Sequence, residues 1–150
     1  MNGRFTKRVG TLFASSALIL GTSFTIGSTE AAAAAQWTFE KGSVSSDGDF
    51  NITAFNNGTF AGAMQWNADP SGSTPGDAFR VLDRLADGWG VEATMISPST
   101  GRKATTRGHN APYTSSWNSG NLTEGSTVYI QLCAVKGDST RCGLAYSGRA

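Results

Sequence analysis

The stretch TVYIQLCAVKGDSTRC, residues 127–142, decides the fold. Val128, Ile130, Leu132 and Ala134 alternate with Tyr129, Gln131, Cys133 and Val135, the period of two that marks a strand with one face toward a core. Gly137-Asp138 then reads as a two-residue hairpin turn. Counting outward from it pairs Lys136 with Ser139, Val135 with Thr140, Ala134 with Arg141 and Cys133 with Cys142. The cysteine pair falls at a non-hydrogen-bonded position, where Cα atoms lie about 4.5 Å apart, so a disulfide fits without moving the backbone. Closing this short loop contributes about 2.5 to 3 kcal/mol in the chain-entropy model, and it pins the register of the closing hairpin.

Upstream, the same period recurs. Trp37 and Phe39 suggest a first strand, followed by Phe50, Ile52 and Ala54, then Phe60, Gly62, Met64 and Trp66 beyond Asn56-Asn57-Gly58. A three-residue loop there sets Ala54 against Phe60, Ile52 against Gly62 and Phe50 against Met64, with every apolar residue on one face. Asp69 to Asp77, with Pro70 and Pro75, reads as a surface loop. Ala78 to Ile96 repeats the hairpin pattern around Ala86-Asp87-Gly88, pairing Leu85 with Trp89, Val81 with Ala93 and Phe79 with Met95. A helix from Asp77 to Gly88 competes for part of this segment, since Ala78, Phe79, Leu82 and Leu85 also fit helical spacing. Asp83 lands on the apolar face beside Val91, where a charge needs an arginine or backbone donors. Arg102 to Arg107 is a polar strand candidate, and Gly108 to Gly120 a long polar segment. Seven or eight short strands with regularly spaced turn signals predict an all-β, antiparallel β-sandwich or small barrel with one disulfide.

The N-terminus has a different composition. A basic opening with Arg4, Lys7 and Arg8, an apolar run from Val9 to Ile26 and the small-residue run Ala31 to Ala35 read as a secretory signal, residues 1–35, cleaved among Ala33, Ala34 and Ala35. The expected mature chain is one domain, residues 36–150, exported to the extracellular space and free of the membrane once cleaved. Arg4, Lys7, Arg8 and Glu30 leave with the signal, so of 12 basic and 11 acidic residues nine and ten remain. A near-neutral chain whose longest basic run is Arg102-Lys103 is not expected to bind nucleic acid, which requires a patch that neutralises several phosphates. Two cysteines and one histidine predict no metal site and no cofactor.

Leu122-Thr123-Glu124-Gly125, leading into the alternating strand from Val128 to Gly137, resembles the corner and final hairpin of fibronectin type III and related immunoglobulin-like domains, although Val128 stands where the corner tyrosine is expected and Tyr129 follows one place late. The likeness covers about 16 residues and implies an immunoglobulin-like arrangement of the sandwich. Ala86-Asp87-Gly88-Trp89, Thr106-Arg107-Gly108-His109 and the terminal Cys133/Cys142 hairpin together resemble the small secreted proteins of streptomycetes and related actinobacteria, which implies export and no particular activity. The sequons at Asn51, Asn57 and Asn121 then read as turn and strand residues.

His109 is the only histidine, and no serine sits in a Gly-x-Ser-x-Gly elbow, so a hydrolase using His109 is a minor alternative. Asp47 and Asp49 flank Gly48 without the remaining ligands of a calcium loop and read as a turn. Trp37, Trp66 and Trp89 fall on apolar faces and are expected in the core. Trp117, Tyr113, His109 and Arg107 instead share the irregular polar segment, where aromatic and polar groups carried on a rigid scaffold suit a binding surface; the competing reading has Trp117 plug one end of the sandwich. The expectation is a non-catalytic binding domain for an extracellular ligand, either a cell-wall or environmental polysaccharide or, alternatively, a protein such as an extracellular protease.

Overall fold

The computed structural model describes residues 35–150; the expected signal segment, apart from Ala35, lies outside the described residues. Nine strands form two antiparallel sheets, and no helix occurs among the described residues. The strands are β1 (Trp37–Lys41), β2 (Phe50–Asn56), β3 (Thr59–Asn67), β4 (Ala78–Asp83), β5 (Gly90–Ser97), β6 (Lys103–Thr105), β7 (Tyr113–Thr114), β8 (Thr127–Lys136) and β9 (Ser139–Arg149). One sheet runs β1-β2-β3-β4-β7 and the other β6-β5-β8-β9. The count exceeds the expected seven or eight, and one of the nine is the two-residue β7 inside the segment expected to be irregular.

Alternation assigns the inner faces. Ile52, Met64, Phe79 and Val81 of the first sheet meet Val91, Ala93, Ile130 and Leu132 of the second in one core, and all are essentially inaccessible to solvent. Two hydrogen bonds tie the sheets at their margins: Trp66 Nε1 donates to the Arg149 carbonyl at 2.7 Å, and the Tyr146 hydroxyl to the Phe39 carbonyl at 2.9 Å. Of the three tryptophans expected in the core, Trp66 is fully buried, whereas Trp37 packs at the margin and Trp89 is half-buried against it, with ring centroids 5.5 Å apart.

The first hairpin differs from its expected register. Its loop has two residues, Asn57 and Gly58, both at positive φ (49° and 78°), the pair that a type I′ turn requires. The strands set Asn56 against Thr59 and Phe55 against Phe60, then slip by one residue so that Ala54 faces Gly62, Ile52 faces Met64 and Phe50 faces Trp66. A bulge at Ala61 absorbs the mismatch that a longer loop was expected to absorb, and the apolar residues still share one face.

Ala78 to Ile96 is not a hairpin. Strand prevails over helix, but β4 pairs with β3 and β7 while β5 pairs with β6 and β8, so residues 84–89 cross from one sheet to the other. The terminal hairpin has the expected register, with Cys133 opposite Cys142 and Lys136 opposite Ser139, and the disulfide forms across a Cα–Cα distance of 4.0 Å. Among the described residues, no helix is long and apolar enough to cross a membrane.

Candidate functional site

The four residues singled out for binding separate into two places. Arg107 and His109 line a cavity of about 540 Å³ at the end of the sandwich where residues 84–89 cross between the sheets. Tyr113 stands behind them: its ring lies parallel to the imidazole of His109, with centroids 3.7 Å apart and planes 4° apart, and it pairs with Asp83 across β4 and β7. Trp117 lies apart from this group, in an open groove of about 410 Å³ that Asn51, Gln65, Asn67 and Arg80 also line.

The groove follows from register. Asn51, Gln65 and Arg80 are partners across β2, β3 and β4, and alternation turns all three away from the core. Arg80 Nε donates to Gln65 Oε1 at 2.8 Å. Residues 115–118 run along the edge of β4 beyond β7. The Ser115 amide donates to the Val81 carbonyl (2.9 Å), and the Asn118 and Phe79 backbones exchange two bonds (2.8 and 3.1 Å). Between these anchors Trp117 folds back over the outer face, half-buried, with the Arg80 guanidinium 4.4 Å from its ring centroid. It does not plug the core, to which Trp66 and Phe79 belong.

The strap carrying Trp117 is held by Arg102. Its Nε donates to Asn118 Oδ1 at 3.1 Å, its Nη2 reaches the carbonyls of Asp77 and Asn118, and its guanidinium lies 5.1 Å from the centre of the Phe79 ring. Asp77 Oδ2 in turn accepts the Leu122 amide at 2.7 Å.

In the end cavity the charges are uneven. Asp83, the last residue of β4, is 3% exposed and accepts a hydrogen bond from the Leu85 amide at 3.2 Å. Burial raises its carboxyl above the usual carboxylate range, and the like charge of Asp87 adds to that, against the Leu85 and Arg84 amides. Glu92 on β5 is also desolvated, yet Lys103 (3.0 Å), Thr105 and Arg107 (3.3 Å) outweigh burial and hold it below its ordinary value. The two acids therefore act oppositely on stability. With its folded value raised, Asp83 favours the fold most in acid and loses that contribution as pH rises through its folded value. Glu92, with its folded value depressed, contributes above its unfolded value and loses that contribution as acid protonates it in the fold. Asp83→Asn is accordingly expected to raise the melting temperature at pH 7 and to lose most of that gain on titration to about pH 3, below the ordinary aspartate value. An unchanged melting temperature at pH 7 would show that Asp83 is compensated in the fold.

Arg80, Gln65, Asn51 and Arg102 were not assigned to a binding site from the sequence. The first three are ordinary polar positions on alternating strands, and only strand register brings them under Trp117. The signal for Arg102 was weaker still, since an arginine after a turn reads as solvated. No group of three or more His, Cys, Asp or Glu placed to hold a metal ion occurs among the described residues. Fold and surface together define a disulfide-braced, all-β sandwich with an aromatic groove on one sheet and a charged cavity at one end. No protein-family model, curated protein or solved structure matches the chain.

Proposed function

We propose that the protein is a secreted, non-catalytic binding domain that recognises cell-wall or environmental polysaccharide through the outer face of β2, β3 and β4. The observation that carries this reading is the indole of Trp117 held over Arg80, beside the Asn51–Gln65–Arg80 row. A pyranose presents an apolar C–H face and a rim of hydroxyls. An indole plane suits the first, and carboxamide and guanidinium groups supply donors and acceptors for the second. The groove is open rather than enclosed, which suits a chain passing across it. The Cys133–Cys142 disulfide fits an oxidising, extracellular setting.

Co-sedimentation of residues 36–150 with chitin, cellulose and purified peptidoglycan, beside Trp117→Ala, tests the reading. Retention of the parent on at least one of these and a tenfold or greater loss in the variant are expected. Because Trp117 lies outside the core, the variant should keep its stability to within about 1 kcal/mol. Absence of retention on all three polymers would overturn the proposal, and a Trp117→Ala variant that binds like the parent would move the site off this face.

A further inference from the structure

The end cavity contains two opposite charges that the fold leaves unpaired. Asp83 is buried and lines the cavity, yet its hydrogen-bond donor there is the amide of its own turn, Leu85. The ion pairs among the described residues are Lys103–Glu92 and Arg107–Glu92, and neither involves Asp83. Arg107, although it lines the cavity, is committed to Glu92 and to the Gly137 carbonyl, which it reaches at 2.8 Å. Lys136 lines the same cavity, is exposed, and forms no ion pair among the described residues. A buried carboxylate without a cation is costly, and Asp87, of like sign, does nothing to offset it.

We infer that this cavity binds a small zwitterion of the amino-acid or short-peptide type, its ammonium group against Asp83 and its carboxylate at Lys136, between Trp89 and the His109–Tyr113 stack. The mixed charge argues against simpler ligands. A polyanion would meet the Asp83 carboxylate, and a polycation would meet Lys136 and Arg107. A volume of about 540 Å³ lies within the range of small-molecule sites and accommodates a dipeptide with its side chains. The aromatic walls would bury an apolar side chain between the two charged ends. This site is separate from the Trp117 groove, with no lining residue in common.

Titration calorimetry with the dipeptide Ala-Phe, its N-acetyl form and its C-terminal amide tests the inference on the unaltered protein, since each blocked form removes one charge. Binding of the free dipeptide is expected, with acetylation and amidation each weakening it at least tenfold. Asp83→Asn should lose the penalty for acetylation. Lys136→Gln, at an exposed position that does not endanger folding, should lose the penalty for amidation. Trp117→Ala should bind the dipeptide as the parent does, which keeps this site distinguishable from the polysaccharide face. No binding of Ala-Phe at millimolar concentration, or equal binding of the blocked forms, would overturn the inference.

Discussion

Replacing Arg102 with Met is expected to cost the fold about 3 kcal/mol and, with it, retention on polysaccharide. Hydrogen bonds to a charged donor are worth about 1.5 to 3 kcal/mol each, and Arg102 gives three, to Asn118 Oδ1 and to the carbonyls of Asp77 and Asn118. Desolvation offsets part of this: burial pulls the guanidinium below its ordinary value, although Asp77 pulls it back. Met fills the space above Phe79 but takes the donor from the Asp77 carbonyl and from Asn118 Oδ1, while the Asn118 carbonyl keeps the Phe79 amide. The cost is no larger than this, because Asn118 also bonds the Lys103 carbonyl through Nδ2 (2.8 Å) and exchanges backbone bonds with Phe79. Arg102→Lys keeps the charge without the planar fork and should recover less than half of the loss. Urea denaturation of the three proteins at neutral pH measures this. A midpoint for Arg102→Met equivalent to a loss under about 1 kcal/mol would mean that the strap is held by its backbone bonds to β4 alone.

The contrast between Arg102 and Trp117 shows what the sequence made legible. Trp117 stands out as an aromatic residue in a polar loop, whereas Arg102 acquires its role from Asp77 and Asn118, 25 and 16 positions away. The same division runs through the fold. The terminal hairpin was readable to the residue from its turn out to the disulfide, because both are local and both give one register; beyond Cys133 and Cys142 the pairing slips, which the sequence did not show. The first hairpin was readable by face but not by register. Alternation identifies which side is apolar, while the bulge depends on a distant contact: the Ala61 carbonyl accepts the amides of Arg84 (2.7 Å) and Leu85 (3.2 Å). The pattern of Ala78 to Ile96 told strand from helix but carried nothing about which sheet each strand joins, so two strands of one apparent hairpin lie in opposite layers. Asp83 was the visible sign of that error. A carboxylate on the core face is out of place inside a hairpin, but it can sit where a crossing segment leaves a cavity.

The bulge also predicts a large effect at a residue with no side chain. Gly62→Ala should destabilise the protein by about 3 kcal/mol, the upper end of the usual overpacking cost, and by more than Gly58→Ala does. Gly58 has a positive φ of 78° and open space around the position of a Cβ, so alanine there meets only the left-handed backbone penalty of about 1 to 2 kcal/mol. Gly62 has no such backbone requirement; its constraint is close approach. A Cβ there would run into the Leu82 carbonyl oxygen and come within 3.2 Å of Val91 Cγ1. A rotamer change cannot relieve the first contact, because the obstacle is backbone in a paired strand. Alanine must therefore push β4 away from β3 next to the Gly62–Asp83 pair. That displacement loosens the two amide bonds to Ala61 and, with them, the start of the crossing segment that walls the end cavity. Thermal and urea denaturation of both variants tests the order, and the calorimetric titration adds a second readout, since Gly62→Ala should also weaken Ala-Phe binding while Gly58→Ala leaves it unchanged. If Gly58→Ala proves the more damaging, the turn rather than the bulge carries the register of the first hairpin, and the close packing of β3 on β4 is not what positions Asp83.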